Sequence, residues 1–209
     1  MTTELFTLAT RTAPGLARLQ ASLTKFSVPV TILGQNELGF RGFAWKWKSF
    51  IRAAKASSAD TVIYCDGYDT ICLDSLSSMA TKFAGLAHPI IFSYEPRDQP
   101  EYWLGLCAGL VMANREAIVT VFDRIDLEEM MQDNFIDQEI LQTMYARDSN
   151  VFTVDRQGVL FHTLGRLSPE LAVSNNRLIN PATGQAPSFV HAPYGWDLSK
   201  VEQWVNAQN

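Results

Sequence analysis

Apolar and polar positions alternate in two different rhythms along this chain, and the rhythms predict its elements. "LFTLAT" (5–10), "VPVTILG" (28–34), "DTVIYC" (60–65) and "PIIFS" (89–93) are short β-branched or aromatic runs closed by turn residues, which is how strands read. Between them lie segments with helical spacing. "PGLARLQASLTKF" (14–26) carries Pro14 near its start, and "WKWKSFIRAAKA" (45–56) puts Trp47, Phe50, Ile51 and Ala54 on one stripe. A further helix is expected over 74–86. This β-α-β-α-β-α-β order predicts an α/β fold with a mostly parallel central sheet flanked by helices on both faces.

Beyond residue 100 the pattern loosens. "YWLGLCAGLVMA" (102–113) is apolar with two glycines, helices are expected at 114–124 and 136–147, and short strands at 151–154 and 158–162. Residues 163–187 are rich in turn formers and read as a long loop or lid. Neither repeat nor linker interrupts the 209 residues, so one domain over 1–209 is the expectation.

Composition narrows the class. An apolar fraction of 47% and a charged fraction of 19% describe a globular protein, and no apolar run approaches the roughly 20 residues that cross a bilayer. The N-terminus lacks the basic and long apolar regions of a signal peptide, which predicts a cytoplasmic protein. Cys65, Cys72 and Cys107 are an odd count without CxxC spacing, which predicts reduced, buried thiols rather than a zinc site. A net charge of −5 argues against general nucleic-acid binding.

The unusual chemistry lies in "TVIYCDGYDTICL" (61–73), where a buried-strand pattern ends in Asp66-Gly67-Tyr68-Asp69. In parallel α/β sheets, ligands bind beyond the carboxyl ends of strands. Two carboxylates there suit a hard divalent cation such as Mn²⁺ or Mg²⁺, whose charge would cancel their repulsion. An ordinary Asp-Gly turn, its carboxylates capping backbone amides, fits the same spacing.

Several blocks in order resemble one family. The acidic turn is similar to the metal motif of GT-A glycosyltransferases. "LATRTAPGLARLQASLTKFSVPVTILGQ", "WKWKSFIRAA", "DTVIYCDGYDTI", "IIFSYE", "FIDQEI" and "FVHAPYGW" together resemble the glycosyltransferase domain of procollagen-lysine hydroxylases, over residues 5 to 196. The resemblance implies a single GT-A-like, Rossmann-like domain that uses Mn²⁺ (or Mg²⁺) and a nucleotide-sugar, a UDP-sugar, as donor. It implies that Asp66, Asp69 and His191 bind the metal, that Tyr68 stacks on uracil with Ala9 and Thr10 beside the uridine, and that Lys46 faces the diphosphate. Asp137, followed by Gln138, would lie near the transferred sugar and the acceptor, as base or as stabiliser of a cationic sugar. Gly109 would let a ligand approach closely, and phosphate contacts would fall at Gly195. Read without the resemblance, Tyr68 is a core tyrosine, Asp137 a helix N-terminal acid and His191 a hydrogen-bonded histidine. His88 and His162 have no motif. Arg41 is a weaker diphosphate candidate, and Lys48, Arg52 and Lys55 read as a solvated helix face.

The chain departs from the family in two places. His191-Ala192-Pro193-Tyr194-Gly195 is one residue longer before its glycine, and Asn134-Phe135-Ile136-Asp137 replaces a more acidic run. The acceptor is a hydroxyl-bearing saccharide, peptide or modified nucleobase. Alternatives are a glycosyltransferase acting on hydroxymethylated bases of viral DNA, a nucleotide-sugar-binding domain without transfer, and a phosphoryl enzyme using Asp66 as nucleophile. The last places its aspartate after the first strand, whereas Asp66 follows the third.

Overall fold

The computed structural model describes residues 1–96, 104–125, 137–147 and 150–208. Its strands are β1 (Thr3–Leu8), β2 (Thr31–Leu33), β3 (Thr61–Asp66), β4 (Thr70–Cys72), β5 (Ile90–Tyr94), β6 (Leu106–Asn114), β7 (Phe152–Asp155), β8 (Phe161–Thr163), β9 (Ala172–Ser174), β10 (Arg177–Ile179) and β11 (Phe189–His191). Its helices are α1 (Pro14–Lys25), α2 (Phe43–Ala56), α3 (Leu76–Gly85), α4 (Arg115–Phe122), α5 (Asp137–Arg147) and α6 (Ser199–Ala207).

Six strands form the central sheet in the order β2-β1-β3-β6-β5-β7. All run parallel except β6, which is antiparallel to both β3 and β5. The α/β fold with a mostly parallel sheet is therefore as expected. The reversal at β6 has a local cause: no helix of the described residues separates it from β5, and a parallel return needs a long crossover.

Strand periodicity divides the core. Phe6, Leu8, Val62 and Tyr64 pack on the face covered by α2, with Trp47 and Phe50, while Leu5, Ile63 and Cys65 pack on the opposite face with Leu19 and Leu23 of α1. With both faces covered, no strand residue from Thr61 to Cys65 reaches solvent, which explains its unbroken apolar reading. The expected stripe on α2 is real, since Trp47, Phe50, Ile51 and Ala54 are all buried. The three cysteines are free and buried. No helix among the described residues is long and apolar enough to cross a membrane.

The carboxyl-terminal third is more ordered than its composition predicts. Residues 163–187, expected as a loop, contain the β9–β10 hairpin, joined at Asn175-Asn176 with both residues at positive φ. In the small sheet β4-β11-β8 only β8 overlaps an expected strand, 158–162; β4, β11 and their pairing were not expected. Here β4, directly after the acidic turn, pairs antiparallel with β11 near the other end of the chain. β4 and β11, of three residues each, carry too little periodicity to be read locally. Within the expected apolar segment 102–113, residues 102 and 103 lie outside the described residues, as do Asn134, Phe135 and Ile136.

Candidate active site

The acidic turn is wedged into its position by two glycines. Asp66 ends β3 beside Leu8 of β1. A Cβ on Gly67 would fall 2.9 Å from both the Leu8 carbonyl oxygen and Thr7 Oγ1, and one on Gly15 of α1 only 1.8 Å from the Tyr68 carbonyl oxygen. The Tyr68 hydroxyl then accepts the backbone N–H groups of Thr10 (3.1 Å) and Arg11 (3.2 Å) and donates to the Arg11 carbonyl (3.2 Å). Its ring is thereby pinned across the end of β1, next to buried Ala9.

The β4–β11 pairing closes the cluster. It sets His191 opposite Thr70, one residue past Asp69. His191 Nε2 lies 3.5 Å from Asp69 Oδ1 and 3.8 Å from Asp66 Oδ2. One ligand atom from each of the three residues falls within 4.8 Å of the others. Asp69 Oδ1 and His191 Nε2 are both buried with no hydrogen-bond partner. Orphaned buried polar atoms are costly, and a shared cation is what two carboxylates and an imidazole nitrogen would satisfy. The set, mainly hard oxygen with one nitrogen, fits Mn²⁺ or Mg²⁺.

The surroundings aim the imidazole. Cys107 Sγ lies 3.5 Å from His191 Nδ1, leaving Nε2 for the carboxylates. Gly109, expected to admit a ligand, instead admits His191, because a Cβ there would meet Cε1 at 2.2 Å. Burial opposes charge on His191, but Cys107 and Asp69 outweigh it and its pKa is raised. Burial likewise raises Asp66, against the lowering effect of Lys46 and His191. The Tyr64 hydroxyl donates to Asp66 Oδ1 at 3.0 Å.

Lys46 is only 4% exposed. Its Nζ lies 2.6 Å from Asp137 Oδ2, 3.7 Å from Asp66 Oδ1 and 3.4 Å from the Ala108 carbonyl oxygen. Asp137 Oδ2 also accepts Trp47 Nε1–H at 2.9 Å. Burial works against the lysine charge, but Asp66 and Asp137 prevail, and its pKa lies above the ordinary value. Lys46, Tyr68, Thr10, Asp66 and Asp69 line one pocket of about 240 Å³.

Several of the positions weighed in the sequence lie outside this cluster and its pocket. Gly195 is exposed, has no atom within 4 Å of an added Cβ, and is not part of that pocket wall, so the expected phosphate contact at Gly195 gains no support. Arg41 is exposed and pairs with Glu37 at 3.6 Å. Lys55 of the basic helix face pairs with Asp123. His162 is buried away from the cluster, and burial holds its pKa down to about 4. Sequence reasoning missed Phe40, Phe43, Tyr64 and Cys107. Phe40 and Phe43 complete the pocket wall, their rings 5.5 Å apart. Their signal was present: two phenylalanines, each after a glycine, Phe40 on the loop before α2 and Phe43 at the first residue of that helix.

Residues 2–206 match the family described as PLOD GT domain. Among solved structures, a glycosyltransferase involved in the glycosylation of the major capsid of PBCV-1 is similar in fold, with a TM-score of 0.59 and 10% identity over 100% of both chains. A197 from STIV has a TM-score of 0.46 and 12% identity, covering 93% of this chain and 96% of its own. S. aureus TarS 1–349 has a TM-score of 0.46 and 14% identity, over 74% of this chain and 58% of that one. No curated protein matches the chain.

Proposed function

Because this chain belongs to the PLOD GT domain family, we propose that it is a metal-dependent glycosyltransferase, one domain over residues 1–209, that moves a sugar from a UDP-sugar to a hydroxyl acceptor. The observation that carries this reading is the convergence of Asp66, Asp69 and His191, with two buried ligand atoms otherwise without partners.

Asp66, Asp69 and His191 would hold Mn²⁺ or Mg²⁺, which when bound supplies Lewis-acid neutralisation of the diphosphate. Lys46 adds a second positive charge in the same pocket, a fixed charge of the kind that stabilises a leaving diphosphate. Tyr68, pinned by the Thr10 and Arg11 amides, offers a fixed aromatic face to the base. Stacking of that kind contributes about 1–3 kcal/mol, and Ala9 and Thr10 flank it. In the transfer, the acceptor oxygen bonds to the anomeric carbon. The bond from that carbon to the diphosphate oxygen breaks, its electron pair leaves with UDP, and the hydroxyl proton passes to a base. Asp137 already accepts two hydrogen bonds, which suits holding Lys46 and stabilising a cationic sugar better than removing that proton.

The test is UDP release from UDP-glucose, UDP-galactose and UDP-N-acetyl sugars, with and without Mn²⁺. Asp69→Ala and His191→Ala should each abolish the metal-dependent release. Full activity in both variants would overturn the assignment.

A further inference from the structure

Tyr64 stands within β3 where the core calls only for a ring. It is 1% exposed and packs against Phe50 and Trp47, with ring centroids 5.3 and 6.0 Å away. Phenylalanine would supply the same ring, and a buried hydroxyl is costly unless it is bonded. Among the described residues, the hydrogen bond that the Tyr64 hydroxyl makes goes to Asp66 Oδ1, at 3.0 Å. The two residues are an i, i+2 pair on one face of the strand, so the pleat itself brings the phenol to the carboxylate.

The two oxygens of Asp66 are thereby divided. Oδ1 faces the Tyr64 hydroxyl and, at 3.7 Å, the Lys46 ammonium, whereas Oδ2 faces His191 Nε2 at 3.8 Å. Each side of this clamp is itself held. The Tyr64 ring is fixed by its aromatic neighbours, Lys46 is tied to Asp137 at 2.6 Å, and the Asp66 backbone pairs in register with Leu8. A carboxylate held in this way offers an ion Oδ2 alone rather than both oxygens. That difference bears on which ion fits. Small ions such as Mg²⁺ demand an octahedral shell at about 2.0–2.1 Å, which single oxygens serve. Ca²⁺ takes roughly six to eight oxygens at about 2.3–2.6 Å and accepts both oxygens of one carboxylate.

We infer that Tyr64 is a positioning residue: it fixes Asp66 as a one-oxygen ligand and so biases the centre toward small octahedral ions over Ca²⁺. The inference rests on the metal-site reading above. The intact chain is titrated calorimetrically with Mn²⁺ and with Ca²⁺, without nucleotide, as wild type and as Tyr64→Phe, and circular dichroism verifies the fold of both. The wild type should bind Mn²⁺ more tightly than Ca²⁺. Tyr64→Phe keeps the ring and frees Oδ1. It should bind Mn²⁺ about tenfold more weakly, the scale on which groups that orient metal ligands act, with Ca²⁺ bound no more weakly than before. The Mn²⁺ to Ca²⁺ affinity ratio therefore falls about tenfold, whereas a merely structural role would weaken both ions alike. The nitrogen of His191 also disfavours Ca²⁺, so the change in the ratio, rather than the wild-type preference, reads the clamp. An unchanged ratio in folded Tyr64→Phe, or a wild type that prefers Ca²⁺, overturns this inference alone. A wild type that binds neither ion overturns the metal reading and this inference with it.

Discussion

The His191 imidazole occupies the space that a side chain at position 109 would fill: a Cβ on Gly109 would stand 2.2 Å from His191 Cε1. One residue with no side chain on β6 thus lets the histidine of β11 face two aspartates on the β3–β4 turn. Gly109→Ala must move either the ring or the strand. Because shells that orient a metal ligand are worth about 10–100-fold in affinity, the variant should bind Mn²⁺ at least tenfold more weakly. Titration calorimetry checks this, with circular dichroism confirming the fold.

Tyr68→Phe keeps the ring and removes its tether. The Thr10 and Arg11 amides lose their shared acceptor, which should cost about 1 kcal/mol of stability. If the ring is the base platform, KM for the UDP-sugar should rise more in Tyr68→Ala than in Tyr68→Phe. Urea unfolding and steady-state kinetics read the two effects apart.

Lys46 and Asp137 form a buried ion pair, and breaking one half of it strands the other. Asp137→Ala should destabilise the protein by about 3–5 kcal/mol. The double variant Lys46→Met/Asp137→Leu should recover much of that stability, because neither charge is left alone, and yet remain inactive. Equal stability of the single and double variants would show that the pair is not coupled.

His162 makes stability depend on pH. Its pKa in the folded protein, about 4, lies below its unfolded value near 6.5, because burial disfavours the imidazolium. The unfolded chain therefore binds the extra proton first as pH falls. Stability is full above pH 6.5, declines between about 6.5 and 4, and levels below that, a loss of about 3 kcal/mol. His162→Gln should flatten that part of a urea-midpoint profile.

Much of this protein was determined by local sequence. The strand–helix order came from periodicity, since each element buries its own face. Asp66 and Asp69 stood out because carboxylates at the end of a fully apolar strand conflict with their surroundings, whereas Tyr68 between them was marked only by the family resemblance. Phe40 and Phe43 were legible in the same way but went unread. Other features depend on which distant strands meet, and no local pattern carries that. The pairing of β4 with β11 and the ion pair that turns Asp137 toward Lys46 are both of this kind. Local physics placed two carboxylates at a strand end. Only long-range pairing brought His191 within 4 Å of both, because such a contact depends on the packing of the whole sheet rather than on any neighbouring residue.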